Sequence, residues 1–229
     1  MTPTWSRHPE QAPVAALFDF DGVLVDSHQA HQQAWQQACR EILGREPPPS
    51  FPAEHDSGAS SDNVAGWLAH QAGSDHLAED LAARKLWLLL HAASTPTPLP
   101  GAIGLLTRLH DHHLPCAIVS NAPRNFVRHT VRALALPVDC IIGLEDSPRP
   151  KPAPDPYLLG ADRLGIASED HPRTWVVEDS LLGIAAAVAA GMPVIGVQTS
   201  LSQPQLLSAG ATLCCPDLRT AIDWPWPRR

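Results

Sequence analysis

Val14–Ser27 reads V-A-A-L-F-D-F-D-G-V-L-V-D-S, and its opening apolar run stops abruptly on Asp19, Phe20, Asp21 and Gly22. A short apolar run bounded by a turn signal predicts a buried strand. Open α/β sheets place their ligand sites at the carboxyl ends of such strands. Asp19 and Asp21 lie two residues apart, so on an extended backbone their side chains leave on the same side. Like charges held together require a compensating cation or a shared proton. Gly22 then lets the chain turn sharply. An isolated D-x-D is ordinarily a polar turn. Here the pair closes an apolar strand and precedes a second apolar strip, which favours a functional reading.

Outward from this stretch, residues 28–43 predict a helix with Ala30, Ala34, Trp35, Ala38, Ile42 and Leu43 on one stripe, ended by Gly44 and the prolines at 47–49. Residues 51–61 read as a polar loop, 63–71 and 75–93 as two more helices, and Pro96, Pro98 and Pro100 as a stiff linker. The pattern then becomes regular. Helices are expected at 102–112, 124–135, 152–164 and 181–190, and strands at 116–119, 140–142, 174–177, 194–197 and 212–215. Strands alternating with helices predict an α/β fold with a Rossmann-like parallel sheet covered on both faces. The expected division is a core domain of residues 1–25 and 96–229 with an inserted α-helical domain over 26–95.

The formal net charge of −8 argues against a general affinity for nucleic acid or an anionic membrane. The five cysteines, Cys39, Cys116, Cys140, Cys214 and Cys215, form no C-x-x-C pair and fit reduced thiols in a cytoplasmic protein. Residues 1–13 lack the apolar centre of a signal peptide, and no apolar run is long enough to span a bilayer. Only two lysines occur, Lys85 and Lys151.

Three separate strands end on polar residues: Asp19/Asp21, Ser120, and Glu178/Asp179. In a parallel sheet these ends share one edge. Lys151 follows the strand at 140–142 in R-P-K-P-A-P-D-P-Y, whose prolines restrict the backbone and could aim the ammonium at the same edge. So many carboxylates favour a hard divalent ion bound by oxygen, Mg²⁺ where the substrate is a phosphate. The motifs hold no His/Cys set of the kind zinc takes. Taken singly, Ser120 is a helix cap or turn residue, Glu178-Asp179 a strand-to-helix cap, and Lys151 a surface lysine.

D-F-D-G-V-L-V-D-S closely resembles the first motif of the haloacid dehalogenase superfamily, in its phosphatase and β-phosphoglucomutase-like branch. I-V-S-N-A at Ser120, Lys151, and V-V-E-D-S-L-L-G-I resemble the second, third and fourth motifs, in the family's order. The resemblance implies that Asp19 is a nucleophile and metal ligand, and that Asp21 is the general acid/base with its backbone carbonyl on the metal. It implies that Ser120 binds the transferred phosphoryl group, with Gly22 and Asn121 beside it, and that Lys151 neutralises nucleophile and phosphate. Asp179, with Glu178 as a further candidate, would hold Mg²⁺. The helical insert would be a cap closing over the crevice.

D-S-H-Q-A-H-Q-Q-A-W resembles the cap entrance of β-phosphoglucomutase-like members. His31 and Trp35 share a helix face there. His31 either approaches the acid/base carboxylate and substrate or simply packs the cap with Trp35. Mutase relatives carry an arginine in the loop corresponding to 55–63. This chain has none between His55 and Asn63, and Asp56 and Asp62 stand there instead, which favours hydrolysis over phosphoryl return. Phosphonatase relatives use a cap lysine, whereas Lys85 reads here as part of a solvated helix face. Haloacid dehalogenases themselves lack the second aspartate, here Asp21. His110–His113 reads as a run of exposed histidines at a helix end.

The expected function is Mg²⁺-dependent hydrolysis of a small phosphorylated metabolite, a sugar or polyol phosphate, through an aspartyl-phosphate. The expected protein is cytoplasmic, a monomer or small homo-oligomer, without nucleic-acid or membrane partners. The alternatives are a β-phosphoglucomutase-like mutase and a non-catalytic binding module that keeps the fold.

Overall fold

Six parallel strands form the central sheet: β1 (Ala15–Phe18), β4 (Cys116–Val119), β5 (Cys140–Ile142), β6 (Thr174–Glu178), β7 (Val194–Val197) and β8 (Leu213–Cys215). Their order across the sheet is β5-β4-β1-β6-β7-β8. A second sheet pairs β2 (Val25–Asp26) antiparallel with β3 (Thr97–Pro98). The structure is a computed structural model and describes residues 12–49, 59–91, 96–222, 224 and 226. Most of the loop expected at 51–61, most of the segment 1–13 and the end of the helix expected at 75–93 lie outside those residues.

Strand β1 is buried at every position, as its apolar run requires. Its residues alternate between faces. Ala16 and Phe18 join one apolar cluster with Leu105, Leu106, Leu109, Phe126 and Val127. Those partners lie on helices α4 (Ala102–Asp111) and α5 (Arg124–Leu134). Leu17 joins the opposite cluster with Tyr157, Ala161, Ile184, Ala187 and Leu206. These lie on α6 (Asp155–Arg163), α7 (Leu181–Ala189) and α8 (Gln203–Ala209). Fully burying side chains of this size contributes about 2 kcal/mol each, so the two-faced strand is a major source of stability.

The sheet register sets the site. Phe18 pairs with Ile118 of β4 on one side and with Val177 of β6 on the other. All three strands therefore end at one level. The strand order reverses about β1, and this reversal opens a crevice at the carboxyl ends.

The insert contains α1 (His28–Ala38), α2 (Ser61–Gln71) and α3 (Ala78–Leu90). The helix expected at 28–43 is α-helical to Ala38 and π-helical over Cys39–Leu43, and Gly44 caps it as expected. Trp35, Ala38, Cys39, Val64, Ala65, Leu68 and Leu81 give the insert an apolar cluster of its own. The stiff linker expected at Pro96–Pro100 is in part strand: β3 pairs with β2, so both connections to the insert run through one short ribbon. Helices α8 and α9 (Leu218–Ile222) were not anticipated from the sequence.

Candidate active site

The chain assembles its charged centre from four segments. Asp19 leaves the end of β1, where its N–H donates to the Val177 carbonyl at 2.9 Å. Lys151 comes from the loop after β5 and is 3% exposed. Its Nζ lies 2.6 Å from Asp19 Oδ1 and 2.7 Å from Glu178 Oε1. Asn121 holds that lysine in place. Its amide donates to the Lys151 carbonyl at 3.1 Å and its oxygen accepts from the Lys151 N–H at 3.0 Å. Asn121 thus meets the lysine's backbone on both of its polar atoms, a positioning arrangement that the motif resemblance does not reveal.

Ser120 is buried at the end of β4, the strand paired with β1. Its oxygen accepts from the Ala122 N–H at 2.9 Å, which leaves the hydroxyl proton to be donated elsewhere.

Glu178 is fully buried. Oε1 accepts from Lys151 and from the Tyr157 hydroxyl at 2.8 Å. Oε2 accepts at 3.0 Å from the Asp179 N–H, the Ser180 N–H and the Ser180 hydroxyl. Tyr157, the chain's single tyrosine, also places its ring 4.7 Å from the ammonium. It was not singled out from the sequence, although Y closes the R-P-K-P-A-P-D-P-Y segment.

Asp19, Glu178 and Asp179 each bring a carboxylate oxygen within 4.8 Å of the others. Burial, helped by Glu178 and Asp179 and opposed by Lys151, pushes the Asp19 carboxyl well above its ordinary range. Burial and Glu178 push Asp179 to about 7, against hydrogen bonds from Ser200 and Thr199. Burial lowers the Lys151 pKa, but Asp19 and Glu178 outweigh it and hold the ammonium charged. A hard divalent cation fits this set: every donor is oxygen, and Asp179 Oδ1 is buried with no hydrogen-bond partner. Glu178 is near enough to be a ligand, but its oxygens already have five donors, so Asp19 and Asp179 are the carboxylates suited to the ion.

The chain bends at Phe20, and the Asp21 carboxylate lies outside the group formed by Asp19, Glu178 and Asp179. It accepts a hydrogen bond from Ser27 and lies 3.5 Å from His31 Nε2. Burial raises its pKa, but His31, Ser27 and Lys85 together bring it below the ordinary value. His31 also packs edge-on against Phe126 at 5.4 Å, so it both approaches Asp21 and joins the insert to the core. Trp35 packs within the insert.

Lys85 corrects the sequence reading. It is 1% exposed rather than solvated. Its ammonium donates to Ser61 Oγ at 2.8 Å and sits 5.1 Å from the centre of the Trp35 ring. Burial pulls its pKa down to about 8 against the attraction of Asp21 and Asp62. A signal was present: Leu81, Lys85 and Leu89 recur every four residues, placing the lysine within a buried stripe.

A family model described as haloacid dehalogenase-like hydrolase matches residues 16–197. The chain belongs to that family. Hexitol phosphatase A of Escherichia coli is 35% identical over 83% of this chain and 85% of its own length. Validoxylamine A 7′-phosphate phosphatase of Streptomyces hygroscopicus subsp. limoneus is 31% identical over 92% of this chain and 96% of its own. Among solved structures, a putative β-phosphoglucomutase from Bacteroides vulgatus superposes with a TM-score of 0.75 at 24% identity, covering 95% of this chain and 90% of that one. This last likeness speaks for the fold. No helix among the described residues is long and apolar enough to cross a membrane.

Proposed function

We propose that this haloacid dehalogenase-like hydrolase is a phosphatase that cleaves a phosphate monoester of a small polyol or sugar in the cytoplasm, with Mg²⁺. The observation that carries the reading is the Lys151 ammonium, 2.6 Å from Asp19 and 2.7 Å from Glu178, beside a second buried carboxylate at Asp179. The hexitol phosphatase and validoxylamine phosphate phosphatase relatives support the substrate class.

The Asp19 and Asp179 carboxylates, with the Asp21 carbonyl that the family resemblance adds, would hold Mg²⁺. The ion would supply positive charge against the phosphoryl oxygens. An Asp19 carboxylate oxygen forms the new bond to phosphorus as the ester P–O bond breaks. Lys151 offsets the repulsion between the two anions, and Ser120 donates its free proton to a phosphoryl oxygen. Asp21 gives its proton to the departing alkoxide, takes one from the attacking water, and the Asp19–phosphate bond then breaks. In the free protein Asp21 is held as the anion by Ser27, His31 and Lys85, the state required of the base. On substrate binding the phosphate's negative charge raises the proton affinity of Asp21, which takes up a proton from solvent before the acid step.

The helical insert over 26–95 acts as the cap. Within it the buried Lys85 ammonium donates to the Ser61 hydroxyl. The free cysteines agree with a reducing compartment.

The test is Mg²⁺-dependent phosphate release from a panel of polyol phosphates, sugar phosphates, nucleotides and phosphoglycolate, with wild type and Asp19→Asn. The expected result is release concentrated on the polyol and sugar esters and abolished in the variant, which stays folded. Phosphate release undiminished in Asp19→Asn overturns the nucleophile. Bisphosphate-dependent isomerisation without net release favours the mutase, and no turnover of any kind favours the binding module.

A further inference from the structure

Asp179 is reached by two hydroxyls that none of the four motifs contains. The segment that follows β7 carries Thr199 and Ser200. Because β7 lies beside β6 and runs parallel to it, this segment leaves the sheet at the same edge as Asp179. Ser200 Oγ donates to Asp179 Oδ2. Thr199 Oγ1 lies 3.2 Å from the same oxygen and 2.5 Å from the Gly22 carbonyl. A hydroxyl has one proton, so Ser200 is the steady donor to Asp179, and Thr199 ties the carboxylate's position to the turn after β1.

That turn leaves no room for an alternative. Gly22 has φ +82°, and a Cβ on it would fall 2.2 Å from Asp179 Oδ2. One carboxylate oxygen is therefore enclosed by the turn at Gly22, the Ser200 donor and the Thr199 hydroxyl. The other, Oδ1, is buried with no hydrogen-bond partner, in the group formed with Asp19 and Glu178.

We propose that Thr199 and Ser200 are positioning residues for the cation: they engage Asp179 Oδ2 so that Oδ1 is presented to the metal in a single orientation. Without them the carboxylate is free to rotate about its terminal bond, whose preferences are broad, and a bound ion must supply the ordering. Partners that orient a metal ligand are typically worth 10–100-fold in metal affinity. This inference rests on the metal-dependent reading of the site, and the experiment separates the two.

Mg²⁺ binding to chelator-stripped protein is measured by titration calorimetry, with Mn²⁺ paramagnetic resonance as a second readout. The proteins are wild type, Ser200→Ala, Thr199→Val/Ser200→Ala, Ser200→Thr and Asp179→Asn, each checked for native circular dichroism. The double variant is expected to bind Mg²⁺ about tenfold or more weakly, Ser200→Ala to fall between it and wild type, and Ser200→Thr to restore most of the loss. Wild-type affinity in the folded double variant overturns the proposal, provided Asp179→Asn loses binding. If Asp179→Asn also binds as wild type does, the metal site itself is wrongly placed and the proposal falls with it.

Discussion

Glu178 shows how a residue's partners decide its role. Its carboxylate reaches the cation group, but five donors occupy its oxygens, two of them the backbone N–H groups of Asp179 and Ser180 just before α7. It holds Lys151 against Asp19. Lys85 is the contrasting residue, an ammonium with burial costs only partly offset. An ordinary lysine titrates near 10.5, and Lys85 is held near 8. Below that pH the group is charged in the folded and unfolded chains alike, and folding bears the full cost of burying it. Between about 8 and 10.5 the unfolded chain binds the proton and the folded chain does not, so stability rises with pH. Lys85→Met removes that rise. In urea unfolding the variant is expected to gain on wild type at about pH 7.5, and the gap to narrow by roughly 2 kcal/mol at about pH 9.5. A gap independent of pH contradicts the buried, weakly basic lysine. The sequence carried the necessary hint in the Leu81–Lys85–Leu89 spacing, but Ser61, its hydrogen-bond partner, lies on another helix and no local pattern joins the two.

Among the elements, α7 is where local propensity and tertiary packing disagree. Ser180 caps it by accepting from the Gly183 N–H at 3.0 Å. A Cβ on Gly183 would fall 1.6 Å from Glu178 Oε1. Helix propensity alone would make Gly183→Ala stabilising by about 1 kcal/mol. The crowded carboxylate reverses the sign, and a loss of about 2 kcal/mol is expected in chemical denaturation. Gly66, inside α2, has nothing within 4 Å of such a Cβ, so Gly66→Ala is expected to stabilise by about 0.5–1 kcal/mol. Equal effects at the two positions would contradict the packing account. The strands of the large sheet were legible because each is a largely apolar run, buried or half-buried, ended by polar or turn residues. The β2–β3 ribbon was not, since each strand has two residues and β3 includes Pro98. Helix α8 did carry its signal, a capping box between Ser202 and Gln205 followed by Gly210. Thr199 and Ser200 follow a strand end just as Ser120 does, but no motif marks them.

For the whole molecule, the sheet serves as a ruler that brings Asp19, Ser120 and Glu178/Asp179 to one edge from more than 150 positions of separation in sequence. The strand-end rule and the family resemblance predicted that convergence. The orientation of each carboxylate depends on side-chain partners from other segments and had to come from coordinates. A cation that binds only the folded chain stabilises it by mass action, about 2.7 kcal/mol at a hundredfold excess over Kd. Mg²⁺ is therefore expected to raise the unfolding midpoint of wild type and to leave Asp179→Asn nearly unmoved; an equal rise in both would place the ion elsewhere. The most direct test of the central claim is an acid-quenched turnover with ³²P-labelled substrate and Mg²⁺, followed by peptide mapping. The label is predicted on the peptide containing Asp19, and to be absent from Asp19→Asn. Label on any other residue, or no covalent label during turnover fast enough to populate it, would contradict the account.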